Sequence, residues 1–225
     1  MKALEAPLRQ GLVALGLALT DEQVNRLLDY LALIQKWTKV YNLTAVRDPA
    51  EMLTHHLLDC LAAIAPLRRQ VVAMVSTDSH ASTPGLRLLD VGAGAGLPGV
   101  VIAICCPEMT VHCVDTVAKK AAFVQQVSVT LKLPNLRGVH ARVESLVDKY
   151  QVISSRAFAS LVDFTNWSTK ALAEQGVWMA MKGKHPADEI AALPNHVNVF
   201  HVEQLAVPGL GAERCIVWMR PSVVA

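Results

Sequence analysis

What the chain has little of narrows its identity first. Of its 225 residues only 5% are aromatic, and the formal net charge is +2, so charge balance alone points to neither an acidic nor a basic partner. The five cysteines, Cys60, Cys105, Cys106, Cys113 and Cys215, include no Cys-x-x-Cys pair, which removes the usual zinc and dithiol signatures. Lying mostly inside apolar runs, they read as reduced core residues. No apolar stretch reaches the roughly 20 residues that span a bilayer. The apolar patch over residues 12–19 follows Glu5, is closed by Asp21 and carries no small-residue cleavage site, so a cytoplasmic location is expected. Internal repeats and low-complexity tracts are lacking too. The 52% hydrophobic content suits one medium α/β domain with a small appendage.

What is present centres on Leu86-Arg87-Leu88-Leu89-Asp90-Val91-Gly92-Ala93-Gly94-Ala95-Gly96-Leu97-Pro98-Gly99, with an apolar run on to Cys106. An apolar segment that ends in glycines and resumes at Pro98 predicts strand, tight turn and helix. The glycines let backbone approach a ligand, and the amides of a helix start attract anionic groups. Read from Gly94, the segment to Gly99 matches the dinucleotide fingerprint, with Asp115 about where a ribose-binding acid belongs. Read from the strand, the first glycine is Gly92, and Gly92-x-Gly94-x-Gly96 then has Leu97 where that fingerprint requires glycine. Asp90 at the strand mouth would repel a pyrophosphate, but it suits S-adenosylmethionine, which carries a sulfonium and an ammonium and no phosphate. The methyl donor is therefore preferred. A nicotinamide dinucleotide serving an oxidoreductase is the alternative.

Before this stretch, Thr20 and Gln23 form a capping box with Leu19 and Val24 as its staple. Val24, Leu27, Leu28, Leu31 and Ile34 then line one face of a helix. Asp48-Pro49 starts another, with Met52, Leu53, Leu57, Leu61 and Ile64 as its apolar face. His55 and His56 are adjacent and so cannot form the i, i+4 pair of a zinc helix; no metal site is expected. Residues 76–85 are small and polar with Pro84-Gly85, a flexible connection between an N-terminal helical extension over 1–75 and a domain over 86–225. Beyond it, strands are predicted at 87–91, 110–115, 136–140, 150–155, 176–181, 197–205 and 214–219. Helices are predicted at 98–106, 117–131 and 160–174, with a short one after Pro186. That alternation implies a Rossmann-like, mostly parallel seven-stranded sheet with helices on both faces.

Ligands bind such sheets at the carboxyl ends of the strands. Asp115 ends its strand where an acid could hold the ribose hydroxyls of an adenosyl group, or cap the next helix. Lys119 and Lys120 on that helix read as a solvated face. Glu144 follows the third strand, where adenine would lie. Arg156 in Ser154-Ser155-Arg156-Ala157-Phe158 follows the fourth and reads as a substrate or cofactor anchor. Lys182 stands in Met181-Lys182-Gly183-Lys184-His185, which suits phosphate contact as well as a solvated loop.

From about residue 20 to the C-terminus the chain resembles the bacterial small-subunit ribosomal RNA methyltransferase G family, also called the glucose-inhibited division protein B family. The marks are Tyr41-Asn42-Leu43-Thr44-Ala45, His56-Leu57-Leu58-Asp59, the glycine segment ending in Leu97-Pro98-Gly99, Arg142-Val143-Glu144, Ser155-Arg156-Ala157-Phe158-Ala159-Ser160-Leu161 and Met181-Lys182-Gly183. Two departures are small. Cys60 stands where the family commonly has serine, and the 76–85 connection is long.

The resemblance implies a class I methyltransferase that uses S-adenosylmethionine to methylate N7 of one guanine in 16S ribosomal RNA, near the decoding centre of the 30S subunit. By that resemblance Gly92 and Leu97 line the methionine end of the donor, Val143 and Glu144 the adenine side, and Arg156 lies beside the reaction centre. Asp90, Gly94, Gly96 and Asp115 complete the expected donor site. His56, Asn42 and Lys182, with Arg156, are expected to orient the RNA. Guanine N7 has a free lone pair at neutral pH, so no general base is needed. The chain also lacks an Asn/Asp-Pro-Pro-Tyr segment for exocyclic amines and a Pro-Cys nucleophile for pyrimidine C5. Catalysis then rests on alignment and positioned dipoles. An RNA-binding assembly protein with a vestigial cofactor fold is the non-enzymatic alternative.

Overall fold

The computed structural model describes residues 2–77 and 85–222; residues 78–84 of the expected connection lie outside the described residues. Helices α1 (Lys2–Ala14) and α2 (Asp21–Tyr41) come first. A composite helix follows, made of α3 (Pro49–Met52), a π-helical turn (Leu53–Leu58) and α4 (Asp59–Leu61), and then α5 (Ile64–Thr77). The sheet contains β1 (Arg87–Val91), β2 (Thr110–Asp115), β3 (Leu136–His140), β4 (Tyr150–Arg156), β5 (Leu172–Lys182), β6 (Val197–Leu205) and β7 (Arg214–Pro221). Between strands run α6 (Gly99–Cys105), α7 (Ala118–Thr130), α8 (Leu161–Ser168) and α9 (Ala187–Ala191).

The seven strands lie in the order β3-β2-β1-β4-β5-β7-β6. The first five pair in parallel, while β7 runs antiparallel to both β5 and β6. Strand order reverses between β1 and β4, so the crevice at their carboxyl ends is where such a sheet binds its ligand. One sheet face and the N-terminal helices share a core: Leu8, Leu27, Leu31, Ile34, Leu57 and Leu61 pack in one cluster with Val100, Val111 and Met179. The other face packs Leu89, Ile153 and Trp178 against Leu161 and Phe164 of α8. The capping box at Thr20 forms as the sequence predicts, with the hydroxyl accepting from Gln23 N and Gln23 Oε1 accepting from Thr20 N. Asp48 caps α3 through Ala50 N and Glu51 N. All five cysteines are free and buried.

Three elements differ from the sequence reading. Within the helical extension expected over 1–75 no particular helix is drawn before Thr20; α1 forms there, with Pro7 inside it, and buries Leu8 and Leu12. The helix begun at Asp48 is broken by the π turn, which puts His56, Asp59 and Cys60 among the buried residues alongside the apolar stripe. The helix expected over 160–174 stops at Ser168, and β5 begins at Leu172 rather than at residue 176. There Ser168 and Thr169 turn their hydroxyls back on Phe164 O and Thr165 O, and residues of this type weaken a helix that way.

Candidate functional site

Two cavities open at the carboxyl edge of the sheet and meet at Ala157. The first, about 390 Å³, is lined by Gly92 after β1, Asp115 at the end of β2, Val143 and Glu144 after β3, Phe158 after β4 and Trp167 on α8. Gly92 has φ +65°, and a Cβ there would lie 2.1 Å from Phe158 Cδ2. Only glycine allows that turn to pass under the ring. Phe158 meets Trp167 edge-on, with ring centroids 5.8 Å apart. Asp115 joins the turn to the next helix: its Oδ2 accepts from Gly94 N at 3.0 Å and its Oδ1 from Val117 N at 2.8 Å. Its ends are thus anchored while the residue still borders the cavity.

The glycine turn is also held from beneath. Asp90 is fully buried, Oδ2 accepting from Gly99 N at 2.9 Å and Oδ1 from the Ser154 hydroxyl at 3.0 Å. Burial pushes its carboxyl up to about 7, against the pull of those two hydrogen bonds. Two expectations are corrected here. Asp90 does not stand at the strand mouth as an exposed charge: it is buried, braces the turn from below and is not among the residues that border the cavity. Nor are four amides of the turn and the start of α6 free. Gly99 N is taken by Asp90, while Gly96 N and Leu97 N go to Ala93 O and Val100 N to Gly96 O. A pyrophosphate would find those donors spent, which disfavours a dinucleotide for a firmer reason than repulsion. Gly94, Gly96 and Leu97 shape the turn without bordering the cavity. Above Gly96 the buried Tyr30 hydroxyl donates to Ala95 O at 2.6 Å, tying α2 to the turn. Lys120, expected on a solvated face, borders the cavity with its Nζ 3.8 Å from Asp115 Oδ2.

The second cavity, about 350 Å³, is lined by His55, His56, Asp59, Arg156, Ala157, Met181, Lys182, Gly183 and Arg214. Three residues singled out in the sequence, Arg156, His56 and Lys182, therefore come together. Asn42 does not join them. It closes α2 in the left-handed conformation, and its Oδ1 accepts from Arg47. His56 is buried with Nε2 2.9 Å from Thr44 Oγ1, and burial together with Arg156 lowers its pKa to about 4. Lys182 Nζ donates to Ala159 O and pairs with Glu189 at 2.7 Å. Arg156 pairs with Asp59 and also donates to His55 O. Ala157, the shared wall, has φ +51°, an uncommon backbone state for a residue with a Cβ. The sequence reading missed Trp167, Asp59 and Arg214. Only Asp59 had a signal, its place in His56-Leu57-Leu58-Asp59.

The strand order with its antiparallel β7, and a glycine-turned crevice where the order reverses, define a Rossmann-like class I methyltransferase. The fold is shared with a crystal structure of TrmN from Thermus thermophilus, at TM-score 0.51 and 17% identity over 68% of this chain and 48% of that one. A family model described as rRNA small subunit methyltransferase G matches residues 23–217. Proteins named ribosomal RNA small subunit methyltransferase G are similar throughout. That of Albidiferax ferrireducens is 69% identical over all of both chains, and that of Acidovorax sp. strain JS42 is 69% identical over 96% of this chain and 95% of that one. The chain belongs to the rRNA small subunit methyltransferase G family, and with that membership goes S-adenosylmethionine-dependent methyl transfer.

Proposed function

We propose that the chain transfers a methyl group from S-adenosylmethionine to N7 of one guanine in 16S ribosomal RNA, free or in the 30S subunit, in the cytoplasm. The observation that carries the reading is the paired cavities, one uncharged at its glycine floor and one cationic, meeting at Ala157 in a chain of this family. The donor would be held by Gly92, Asp115, Val143 and Glu144, with Gly94, Gly96 and Leu97 shaping the turn and Asp90 bracing it. The bound donor supplies an electrophilic methyl on a sulfonium. Arg156 at the wall between the cavities fixes the orientation of donor and base, and Lys182 and His56 border the space the RNA enters. No residue is required to remove a proton first, because guanine N7 attacks with a lone pair that is free at neutral pH. Residues 86–225 form the transfer domain, and the 1–75 extension supplies His55, His56 and Asp59 to it.

Among the described residues no helix is long and apolar enough to cross a membrane. The test is incubation of 16S rRNA from cells lacking this activity with methyl-labelled donor. Label in 7-methylguanosine supports the reading; donor binding without label in RNA favours a binding protein instead.

A further inference from the structure

The π turn at Leu53–Leu58 delivers Asp59 between two arginines from different strands. Asp59 Oδ2 accepts from Arg156 Nη1 at 2.7 Å, and Oδ1 accepts from Arg214 Nε at 2.9 Å. Its side chain is only 3% exposed, so this one buried carboxylate sets the spacing of both guanidiniums. Arg156 Nη1 is held a second time by His55 O at 2.8 Å. Arg214 is less enclosed. Its Nη1 donates to Glu213 O, its Nη2 has no partner among the described residues, and its side chain is 25% exposed where it borders the second cavity.

The charge count is simple. Two guanidiniums against one carboxylate leave one positive charge, while Lys182 is balanced by Glu189. One net positive charge matches one phosphodiester. The other common partner of arginine, the O6/N7 edge of guanine, is closed to it during reaction. An N–H donated to N7 would occupy the lone pair that must attack the methyl group, whereas a phosphate contact leaves it free.

We infer that Asp59 is a positioning residue that holds Arg156 and Arg214 as one unit, with Arg214 taking a backbone phosphate of the RNA beside the target nucleotide. This rests on the first cavity being the donor site. The test uses the full chain and a 16S rRNA substrate that the wild type methylates. Donor affinity is measured by calorimetry, together with RNA KM, kcat and the salt dependence of RNA binding. Arg214→Ala keeps donor affinity, raises the RNA KM on the order of 10-fold and lowers the slope of log affinity against log salt by about one. Arg214→Lys restores the slope without the full affinity, because an ammonium lacks the fork that Asp59 orients. Asp59→Asn raises the RNA KM similarly, and adding Arg214→Ala to it costs nothing more.

An unchanged salt slope in Arg214→Ala, or single effects that multiply in the double variant, would overturn the inference. Should Asp59→Asn fail to fold by circular dichroism, the Arg214 variants decide alone, since both retain the Asp59–Arg156 pair. A wild type that binds no donor would instead defeat the reading of the first cavity, an outcome distinct from all of these.

Discussion

The two cavities share Ala157 and little else. The first has a floor of backbone, a glycine turn braced by Asp90, Asp115 and Tyr30, each holding main-chain amides or a carbonyl, with side chains such as Glu144, Phe158 and Trp167 as its walls. The second is made of charged side chains from α4, β4, β5 and β7, held by ion pairs. A backbone floor tolerates almost no change of shape, whatever charges stand on the walls. A charged cavity tolerates reshaping but responds to every lost partner and to ionic strength. The comparison separates the jobs: fixed geometry for the donor, adaptable charge for a polyanion.

The comparison breaks most visibly at Gly92. A Val there combines left-handed backbone strain with overlap on Phe158, about 3 kcal/mol in all, so Gly92→Val should weaken donor binding on the order of 100-fold. Calorimetry checks this; near-normal affinity would mean that the turn is not the donor's floor. Asp115→Ala removes the acceptor of Gly94 N and Val117 N. It should cost about 2 kcal/mol of donor affinity, roughly 30-fold, with RNA salt dependence unchanged.

Asp90 gives a pH signature of similar size. Its pKa is near 7 in the fold against about 4 in the unfolded chain, so the folded state holds the proton more tightly. Stability is therefore greatest below the unfolded value and falls as pH rises, by about 2 kcal/mol between pH 5 and 7. Asp90→Asn keeps an acceptor for Gly99 N and should flatten that decline in denaturant titrations. An identical decline in the variant would show that Asp90 is not its source. The smallest effect is expected for Tyr30→Phe, which leaves Ala95 O without its buried donor. About 1 kcal/mol, or roughly fivefold in donor affinity, follows. Equal donor affinity would mean that α2 does not help to hold the turn.

Legibility in the sequence followed the same division. The glycine turn, Asp115 and all seven strands could be read because they depend on local pattern: a run of apolar residues, a glycine cluster, a helix-period stripe. Three of the contacts that hold the first cavity's floor, Gly94 N and Val117 N to Asp115 and Gly99 N to Asp90, fall between residues 90 and 117, while Tyr30 and Ser154 reach it from about 65 residues away. In the second cavity Asp59 meets Arg156 across 97 residues and Arg214 across 155, and no local signal marks such a triad. The π turn was equally hidden, since Met52, Leu53, Leu57 and Leu61 fit an ordinary helical face. The direction of the Asp90 side chain was hidden for a different reason. Its place at the strand end was legible, but whether a carboxylate there points up into a cleft or down onto Gly99 N and Ser154 depends on a neighbouring strand.

The most direct measurement is nucleoside mass spectrometry of 16S rRNA from cells with and without this gene. The account predicts one 7-methylguanosine present only when the gene is intact, and its return when the wild-type chain, but not the Gly92→Val variant, is restored. Identical 7-methylguanosine content in both strains would contradict it.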